Sequence, residues 1–472
     1  MAIWDFLNSQ RGTAANYAPL TDEHRKRVQL FGAYWDYYRG KQRRPLRIKD
    51  GQADDNVIVN YSRRIVDKST AFLFGDPPEF EIDHQDNMTT EGTDDALEAW
   101  LHRCWGTDEQ RGMLLQEMSV NGGVCGTSFV RIYPPDRPGD LPRIVALNPS
   151  LLDIVTNPDD IDDVVSYTIT WQSGKDWKRH RIDAQENGTW VITEEIARTG
   201  DTWVMTAETL HPFTWSPVFW CQNRVNPVDV WGISDLEEAD INDAINFTAS
   251  NINRILRYHA HPRTIGTGFT AASLQNTAVD QFWTIPAEGA RVTNLEMQSD
   301  LASAYNFWSG LREAYAKISG VPDLDPEKVN VGALSGFALR ILYSDLIELT
   351  NVKRNTYGEM LAGINSALLE LGGFGAGIDV SNKWHDPLPV DQAAQVQLLA
   401  LDRQQGLSLE TYLEQRGYDA ERELERIQNE RAENATLGEA LLGAFERGAV
   451  GAVMNTQQPQ RVNGNGAQNG QR

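Results

Sequence analysis

The chain has 472 residues, 41% of them hydrophobic, which is enough for a large core and two or three domains. Its 66 acidic and 43 basic side chains give a formal charge of −23, an excess that argues against tight binding of duplex DNA through its phosphates. Cys104, Cys125 and Cys221 are odd in number and far apart, so they suggest neither a disulfide framework nor a zinc site. The sequence also lacks an apolar run long enough to span a membrane, and its first residues do not resemble a signal peptide.

The first quarter of the chain has the periodicity and the end signals of helices. We predict helices over residues 21–40, 61–74, 94–104 and 107–120. Thr21 is a candidate N-cap for the first helix. Thr107 and Gln110 have the spacing of a capping box at the start of the fourth.

Between about Thr127 and Trp220 the pattern changes to short runs rich in Val, Ile, Thr, Tyr and Trp. Turn formers such as Asn157-Pro158 and Asn187-Gly188 separate these runs. The pattern is typical of an antiparallel β meander. With helices on both sides of the meander, the sequence predicts an α+β fold.

Two amphipathic helices, Ser234–Tyr258 and Ser299–Ser319, flank a short segment rich in turn formers. Ser234 and Glu237 have the spacing of a capping box at the start of the first helix. At about 100° per residue, this helix separates an apolar arc from an opposite arc rich in Asn and Ser. We call the second of these the polar arc; it contains Asn242, Asn246, Ser250, Asn253 and Arg257. A face crowded by copies of itself would favour such residues, although the helix–β–helix unit could instead pack into a globular core.

The second half of the chain is mainly helical. A loop rich in Gly and Pro over residues 319–336 leads into a very long helical pattern from Ser335 to about Leu371. We expect this pattern to be kinked or divided near Gly358 or Gly363. Shorter helices are predicted over residues 389–405, 408–415 and 420–434. The Gly/Asn-rich end, residues 456–472, is expected to be disordered.

The sequence carries no recognisable enzyme motif. It lacks a P-loop, a GxGxxG turn between a strand and a helix, an HExxH helix and a GxSxG elbow. Carboxylates are abundant, but their spacing does not pair two of them for acid–base chemistry. We therefore predict no catalytic residue, no cofactor and no metal.

Several motifs resemble, in their order and spacing, those of portal proteins of tailed bacteriophages, especially long-tailed phages of Gram-positive hosts. The first is Asn60–Lys68, which continues to Leu73–Pro77. The capped helix at Ser234, the compact β segment and the second amphipathic helix follow. The later motifs are Ser335–Arg340 with Tyr343-Ser344, and Trp384–Pro389. The likeness covers about residues 30–433.

The resemblance implies a homo-oligomeric ring, usually a dodecamer, at one capsid vertex of the virion, assembled in the host cytoplasm. Double-stranded DNA would pass through its channel during packaging and ejection. The implied partners are the terminase large subunit, a head–tail adaptor, and the major capsid and scaffolding proteins, with no membrane. The implied parts are an N-terminal region and wing (1–233), stem helices (234–258 and 299–318), a small α/β clip (259–298), a tunnel loop (319–336), a long wing helix (337–378), a helical crown (379–455) and a tail (456–472).

The resemblance also assigns roles to individual residues. The residues expected at the narrowest part of the channel are Val321, Asp323, Asp325, Glu327, Lys328 and Asn330. The residues expected in the clip are His261, Arg263, Phe282, Trp283 and Arg291. The polar arc of the stem would turn inward or outward to water, and the apolar arc would pack against the second stem helix and the next subunit.

The loop contains three acids and one lysine, a sum of −2, so DNA should touch it without being held. A plain surface connection is the alternative for this loop. For the whole chain, the alternatives are a head–tail connector ring without a packaging role and an acidic cytoplasmic enzyme of unrecognised type.

Overall fold

The computed structural model describes residues 20–388, apart from gaps at 42, 49, 51–53, 83–92, 136, 138, 199–201, 261–262, 268–290, 296–300 and 324–335. Beyond residue 388 it describes 401, 406, 408–415, 422–424 and 426–427. The chain divides into two units, Met1–Pro389 and Val390–Arg472. Among the described residues, no helix is both long and apolar enough to cross a membrane.

The helices predicted for the first quarter are confirmed. They are α1 (Asp22–Tyr38), α2 (Tyr61–Phe74), α3 (Thr93–Trp105) and α4 (Asp108–Cys125). The Thr21 hydroxyl accepts a hydrogen bond from the His24 N–H at 3.1 Å, as expected of an N-cap. Thr107 and Gln110 form the predicted reciprocal capping box at the start of α4. The helix α4 ends at Gly126, where φ is +86° and a Cβ would meet the Gly232 carbonyl oxygen at 2.1 Å.

The predicted β meander is confirmed as well, and it forms two antiparallel sheets. The strands are β2 (Thr127–Tyr133), β3 (Arg143–Leu147), β4 (Leu152–Asn157), β5 (Asp160–Ser173), β6 (Asp176–Ala184), β7 (Trp190–Ala197), β8 (Val204–His211) and β9 (Val218–Gln222). One sheet has three strands in the order β3-β2-β9, and the other has five in the order β4-β5-β6-β7-β8. Phe129, Leu152 and Ile182, none of them exposed, belong to the core cluster that joins the two sheets.

The long helical pattern is divided, but not where the sequence predicts. The break lies at Tyr343, between α7 (Gly336–Leu342) and α8 (Ser344–Leu371), and the ring of Tyr343 stacks on Phe72 at 5.4 Å. The prediction of a break near Gly358 or Gly363 is therefore wrong. The helix continues through both glycines, and a Cβ at Gly363 would make an ordinary van der Waals contact with the Phe219 ring at 3.4 Å. The interior of α8 packs with α2, α3, α4 and β2 in the largest core cluster.

A short strand pair lies at the point where the crown is predicted to begin. Strand β12 (Val380–Lys383), in the segment expected to begin the crown at residue 379, pairs with β1 (Glu79–Ile82). Val380 is 4% exposed and belongs to the largest core cluster, which Trp384 also contacts. Residues 379–389 thus belong to the first unit, and the second begins at Val390. In the second unit, α9 (Leu409–Gln415) matches one predicted helix.

The amphipathic pair is present as α5 (Asp240–Ala260) and α6 (Leu301–Ser319), which pack on each other. Between them, β10 (Arg263–Thr267) pairs antiparallel with β11 (Arg291–Leu295). The predicted start of the first helix at Ser234 is wrong by six residues. The Ser234 hydroxyl is held by the carbonyl oxygens of Gly123 (3.1 Å) and Val124 (2.7 Å) at the end of α4. It therefore does not begin a helix, and residues 235–239 form turns.

Candidate functional site: stem helices and loop base

The polar arc of α5 is bound to the chain that precedes α2. The Asn242 and Asn246 side-chain oxygens accept from the N–H groups of Tyr61 (3.1 Å) and Val59 (2.9 Å). Further along, the Ser250 hydroxyl accepts from the Val57 N–H at 2.9 Å, and the Asn253 amide donates to the Asp55 carbonyl at 3.1 Å. Four residues of an α-helix span about 6 Å along its axis, and two residues of an extended chain span about 6.6 Å. Because these lengths are similar, every second residue of segment 55–61 lies beside the next turn of α5.

We call this series of hydrogen bonds between the polar arc and segment 55–61 the ladder. At its Asp55 end the contacts are ion pairs. The Asp55 side chain is 4% exposed and accepts from Arg254 Nε at 3.1 Å and from Arg257 Nη2 at 2.8 Å. A buried carboxylate is costly unless charged hydrogen bonds satisfy it, and these two guanidinium groups do so. The polar arc thus attaches α5 to the segment that leads into α2.

The prediction that the polar arc turns to water is wrong for its first half. Asn242, Asn246 and Ser250 are 4%, 1% and 0% exposed within a single subunit. Their amide and hydroxyl groups satisfy the N–H groups of Val57 and Val59, which belong to no helix or strand, and of Tyr61, the first residue of α2. The sequence does show Asn and Ser at steps of four in this helix, which marks the face as unusual. It does not show the partner segment, which lies 181 to 198 residues away along the chain.

Several large apolar side chains of α5 and α6, by contrast, face solvent in the subunit. We call them the exposed apolar set: Phe247 (44%), Leu256 (49%), Tyr305 (54%), Phe307 (62%) and Ile318 (54%). Other apolar residues of the pair, such as Ile245 and Tyr315, are buried against α2 and α8. Both helices therefore carry some apolar side chains that their own subunit covers and others that it leaves exposed.

The first residues of the predicted tunnel loop are fixed to the body of the subunit. Val321 is 5% exposed and packs with Ile65, Tyr315 and Leu346. The Asp323 carboxylate accepts from Arg64 Nη1 at 2.8 Å and also pairs with Arg312. The expectation that Val321 lines the channel is therefore wrong, because a residue in the core cannot line it. Asp323 is paired with two arginines, so it does not leave an uncompensated negative charge at the base of the loop.

The remaining channel and clip residues are only partly covered by the structure. Asp325, Glu327, Lys328 and Asn330 lie outside the described residues, as do His261, Phe282 and Trp283. Arg263 and Arg291 begin the two strands that pair between the stem helices, with Arg263 opposite Leu295 and Arg291 opposite Thr267. For these residues the sequence-based roles stay predictions. Of the predicted clip, the described part is this antiparallel strand pair.

A buried ion pair, which sequence reasoning missed, joins three elements where the stem meets the body. Lys353 of α8 donates to Asp235 Oδ2 and to the Ser69 hydroxyl of α2, each at 2.6 Å. The Asn223 amide donates to Asp235 Oδ1 at 2.9 Å. The Lys353 and Asp235 side chains are 1% and 3% exposed. Burial lowers the pKa of Lys353, and the adjacent Asp235 carboxylate partly opposes this shift.

Among the residues that the structure describes, no group of three His, Cys, Asp or Glu side chains could hold a metal ion. The residues brought together around the stem are pairing and packing groups: Asn and Ser on backbone amides, arginines on carboxylates, and apolar side chains. Such an arrangement positions helices and presents a surface for association.

The described region thus combines a helix pair that is anchored to its own subunit with apolar side chains that the subunit leaves exposed. The family model for "Phage portal protein, SPP1 Gp6-like" matches residues 17–437, which is most of the chain. The chain therefore belongs to this family of phage portal proteins, which are structural proteins. It is a subunit of the portal ring at the head vertex of the virion. The predicted resemblance is confirmed at the level of the family.

Chains from solved particles are also similar to this one. The first is from a structure titled "Virion of native gene transfer agent (GTA) particle", with 16% identity, coverage of 76% of this chain and 89% of that chain, and a TM-score of 0.47. Another is from "Neck of empty GTA particle computed with C6 symmetry", with 17% identity, the same coverage and a TM-score of 0.45. No curated protein matches the chain. The family assignment rests on the family match alone.

Proposed function

We propose that the ring is a closed dodecamer whose central channel passes double-stranded DNA during packaging and ejection. The observation that carries this proposal is the exposed apolar set on both stem helices. Exposed apolar surface of this kind is typical of interaction sites, and in a ring every subunit can cover the stem of the next. Burial of the polar arc supports the same arrangement. Because the polar side chains are already satisfied within the subunit, the exposed apolar set is what remains for contacts between subunits.

The oligomer can be tested by measuring mass with light scattering, with and without the scaffolding protein. We expect the oligomer to have a mass near that of twelve subunits of 52.9 kDa each. A monomer under every salt condition, in the presence of scaffold as well, would remove the ring from the proposal.

The loop of residues 319–336 is proposed to narrow the channel, through its part beyond Asp323. Anchoring of Val321 and Asp323 supports this, because it fixes where the loop leaves the subunit. Since Asp323 is paired with two arginines, the remaining acids and Lys328 give a local charge near −1, which suits contact with DNA without retention. Lys328→Glu, or a rigid residue at Gly332, should leave rings intact and stop packaging or retention of DNA. Normal packaging by both variants would remove the loop from the channel.

The segment between the stem helices, residues 259–298, is proposed as the clip that binds the terminase large subunit and later the head–tail adaptor. Its position between two helices that leave the body supports an exposed docking role. The sequence has no P-loop, so ATP hydrolysis is assigned to terminase. Shortening the segment to a Gly-Ser link should keep rings and abolish both interactions in pull-down assays. Unchanged binding would place the contacts elsewhere. The type of host stays a prediction from the sequence.

A further inference from the structure

An open groove lies between the sheets and the long helix, away from the stem. Its volume is about 870 Å³. Its lining includes Tyr167 of β5, Phe219 and Trp220 of β9, and α8 around Glu359. Val225, which is 56% exposed, lies at the rim. The groove therefore combines aromatic side chains, of which Phe219 and Trp220 are half-buried, with an exposed apolar residue at its rim.

The charged side chains of the groove have one sign. Asp162 and Glu359 are both exposed, and none of the described residues that line the groove is basic. An occupant should therefore be apolar and carry a cation rather than further acids. Because the chain is acidic overall, few of its segments are both apolar and free of an excess of acids.

Residues 1–19 have the required composition. Four of the five residues from Ile3 to Leu7 are large and apolar, and Arg11 is the only cation among residues 1–19. Apart from Asp5 the segment has no acid. The described chain continues from this segment at Leu20, just before α1.

Two paths of contact connect the start of α1 to the groove. Thr21 donates to Asp153 of β4 at 3.3 Å, and the neighbouring Ile154 pairs with Tyr167 in the groove wall. On the other side, Arg27 lies 4.2 Å over the Trp231 ring, and Trp231 accepts through its carbonyl from Asn226 at the rim. Nineteen residues can span up to about 60 Å, so the segment reaches the groove from residue 20 without strain.

We propose that residues 1–11 of this chain dock in the groove, with the apolar side chains of residues 3–7 against its aromatic lining and Arg11 near Asp162 and Glu359. The segment would cover half-buried aromatic side chains that neither the stem nor the loop uses. This docking does not depend on the channel function proposed above.

The test uses full-length protein with a photoreactive benzoylphenylalanine in place of Phe6. Mass spectrometry should recover cross-links to residues 219–227 or 356–363, within one subunit or between two copies. Glu359→Trp, which fills the groove, should lower the yield of these cross-links about tenfold. Glu348→Trp is the matched control, since Glu348 is an exposed glutamate of the same helix outside the groove, and it should leave the yield unchanged.

The reverse experiment places the photoreactive residue at Val225 and should recover peptides from residues 1–11. Cross-links from position 6 to other surfaces only, no cross-link to the groove, or equal yields in the two tryptophan variants would overturn the proposal. Recovery of a capsid or scaffolding protein at Val225 in place of residues 1–11 would assign the groove to that partner and would also overturn it.

Discussion

The polar arc of α5 and the exposed apolar set of α5 and α6 differ in their burial within the subunit. Asn246 and Ser250 of the polar arc are buried and hydrogen-bonded, whereas Phe247 and Phe307 are largely exposed. A soluble monomer normally does the reverse with such side chains. The position of α5 is thus set by contacts within the subunit. The exposed apolar set stays largely in solvent there, and the proposed ring would cover it.

At neutral pH, the substitution that should destabilise the subunit most removes a charge partner from the buried ion pair of Lys353 and Asp235. Asp235→Ala leaves the buried Lys353 ammonium without its carboxylate, which should cost about 3–5 kcal/mol of unfolding free energy. Denaturant unfolding followed by circular dichroism measures the loss. Glu237→Ala, at a carboxylate that is 56% exposed, is the control and should change stability by less than about 0.5 kcal/mol. Equal effects of the two variants would mean that the pair does not hold the junction.

The second prediction concerns the stability of the subunit at acid pH, which depends on two histidines of the sheets, away from the stem. Burial lowers the pKa of His180 and of His211 to about 4, and the nearby Arg131 adds to the shift in both. Between pH of about 6.5 and 4 the unfolded chain therefore binds more protons than the folded one, and stability falls as pH falls, by up to about 1.4 kcal/mol per pH unit per histidine.

Thermal unfolding between pH 7 and 4 tests this effect. The double variant His180→Gln with His211→Gln should have a shallower fall of Tm with acid than the parent protein. Parallel curves would show that these histidines do not control the acid response.

A smaller effect is expected from one step of the polar arc. Asn246→Ala leaves the Val59 N–H without its acceptor and should cost about 1–3 kcal/mol. Asn251→Ala is the matched control, because the Asn251 amide donates to the Phe247 carbonyl of its own helix at 3.0 Å. Hydrogen exchange at Val59 should rise in the first variant and stay unchanged in the second. If Val59 stayed protected in Asn246→Ala, the ladder would not be what fixes segment 55–61.

The smallest effect on the subunit should be the most damaging to the ring. Phe307→Ser removes a side chain that is 62% exposed, so subunit stability should change by less than about 0.5 kcal/mol. Oligomer mass should nevertheless shift toward smaller species. The neighbouring exposed Asn306→Ser should assemble as the parent does. Full assembly of both variants would separate the exposed apolar set from the ring interface.

Much of the fold could be predicted from the sequence because it depends on local signals. The capping box at Thr107 and the alternating runs after Thr127 were sufficient for α4 and for the meander. The start of α5 was not predictable, since Ser234 is held by carbonyl groups of α4 that no local pattern reveals. The break at Tyr343 likewise follows from stacking on a distant residue, Phe72.

The candidate site was predictable only in part, for the same reason. The sequence identified the polar arc as unusual, but its partner segment had the composition of a loop and lies far away in the chain. Lys353 and Asp235 gave no signal at all, because an ion pair between residues 118 apart is created by the fold. The family motifs identified the class of protein where these local patterns could not.

The most direct test of the central claim is a cryo-electron microscopy reconstruction of the full-length protein assembled as a ring. The account predicts a central channel, with Phe247 and Phe307 buried between neighbouring stems and with the polar arc on segment 55–61 as in the single subunit. A ring in which these two phenylalanines stay in solvent, or in which the polar arc has left segment 55–61 to face the channel, would contradict it.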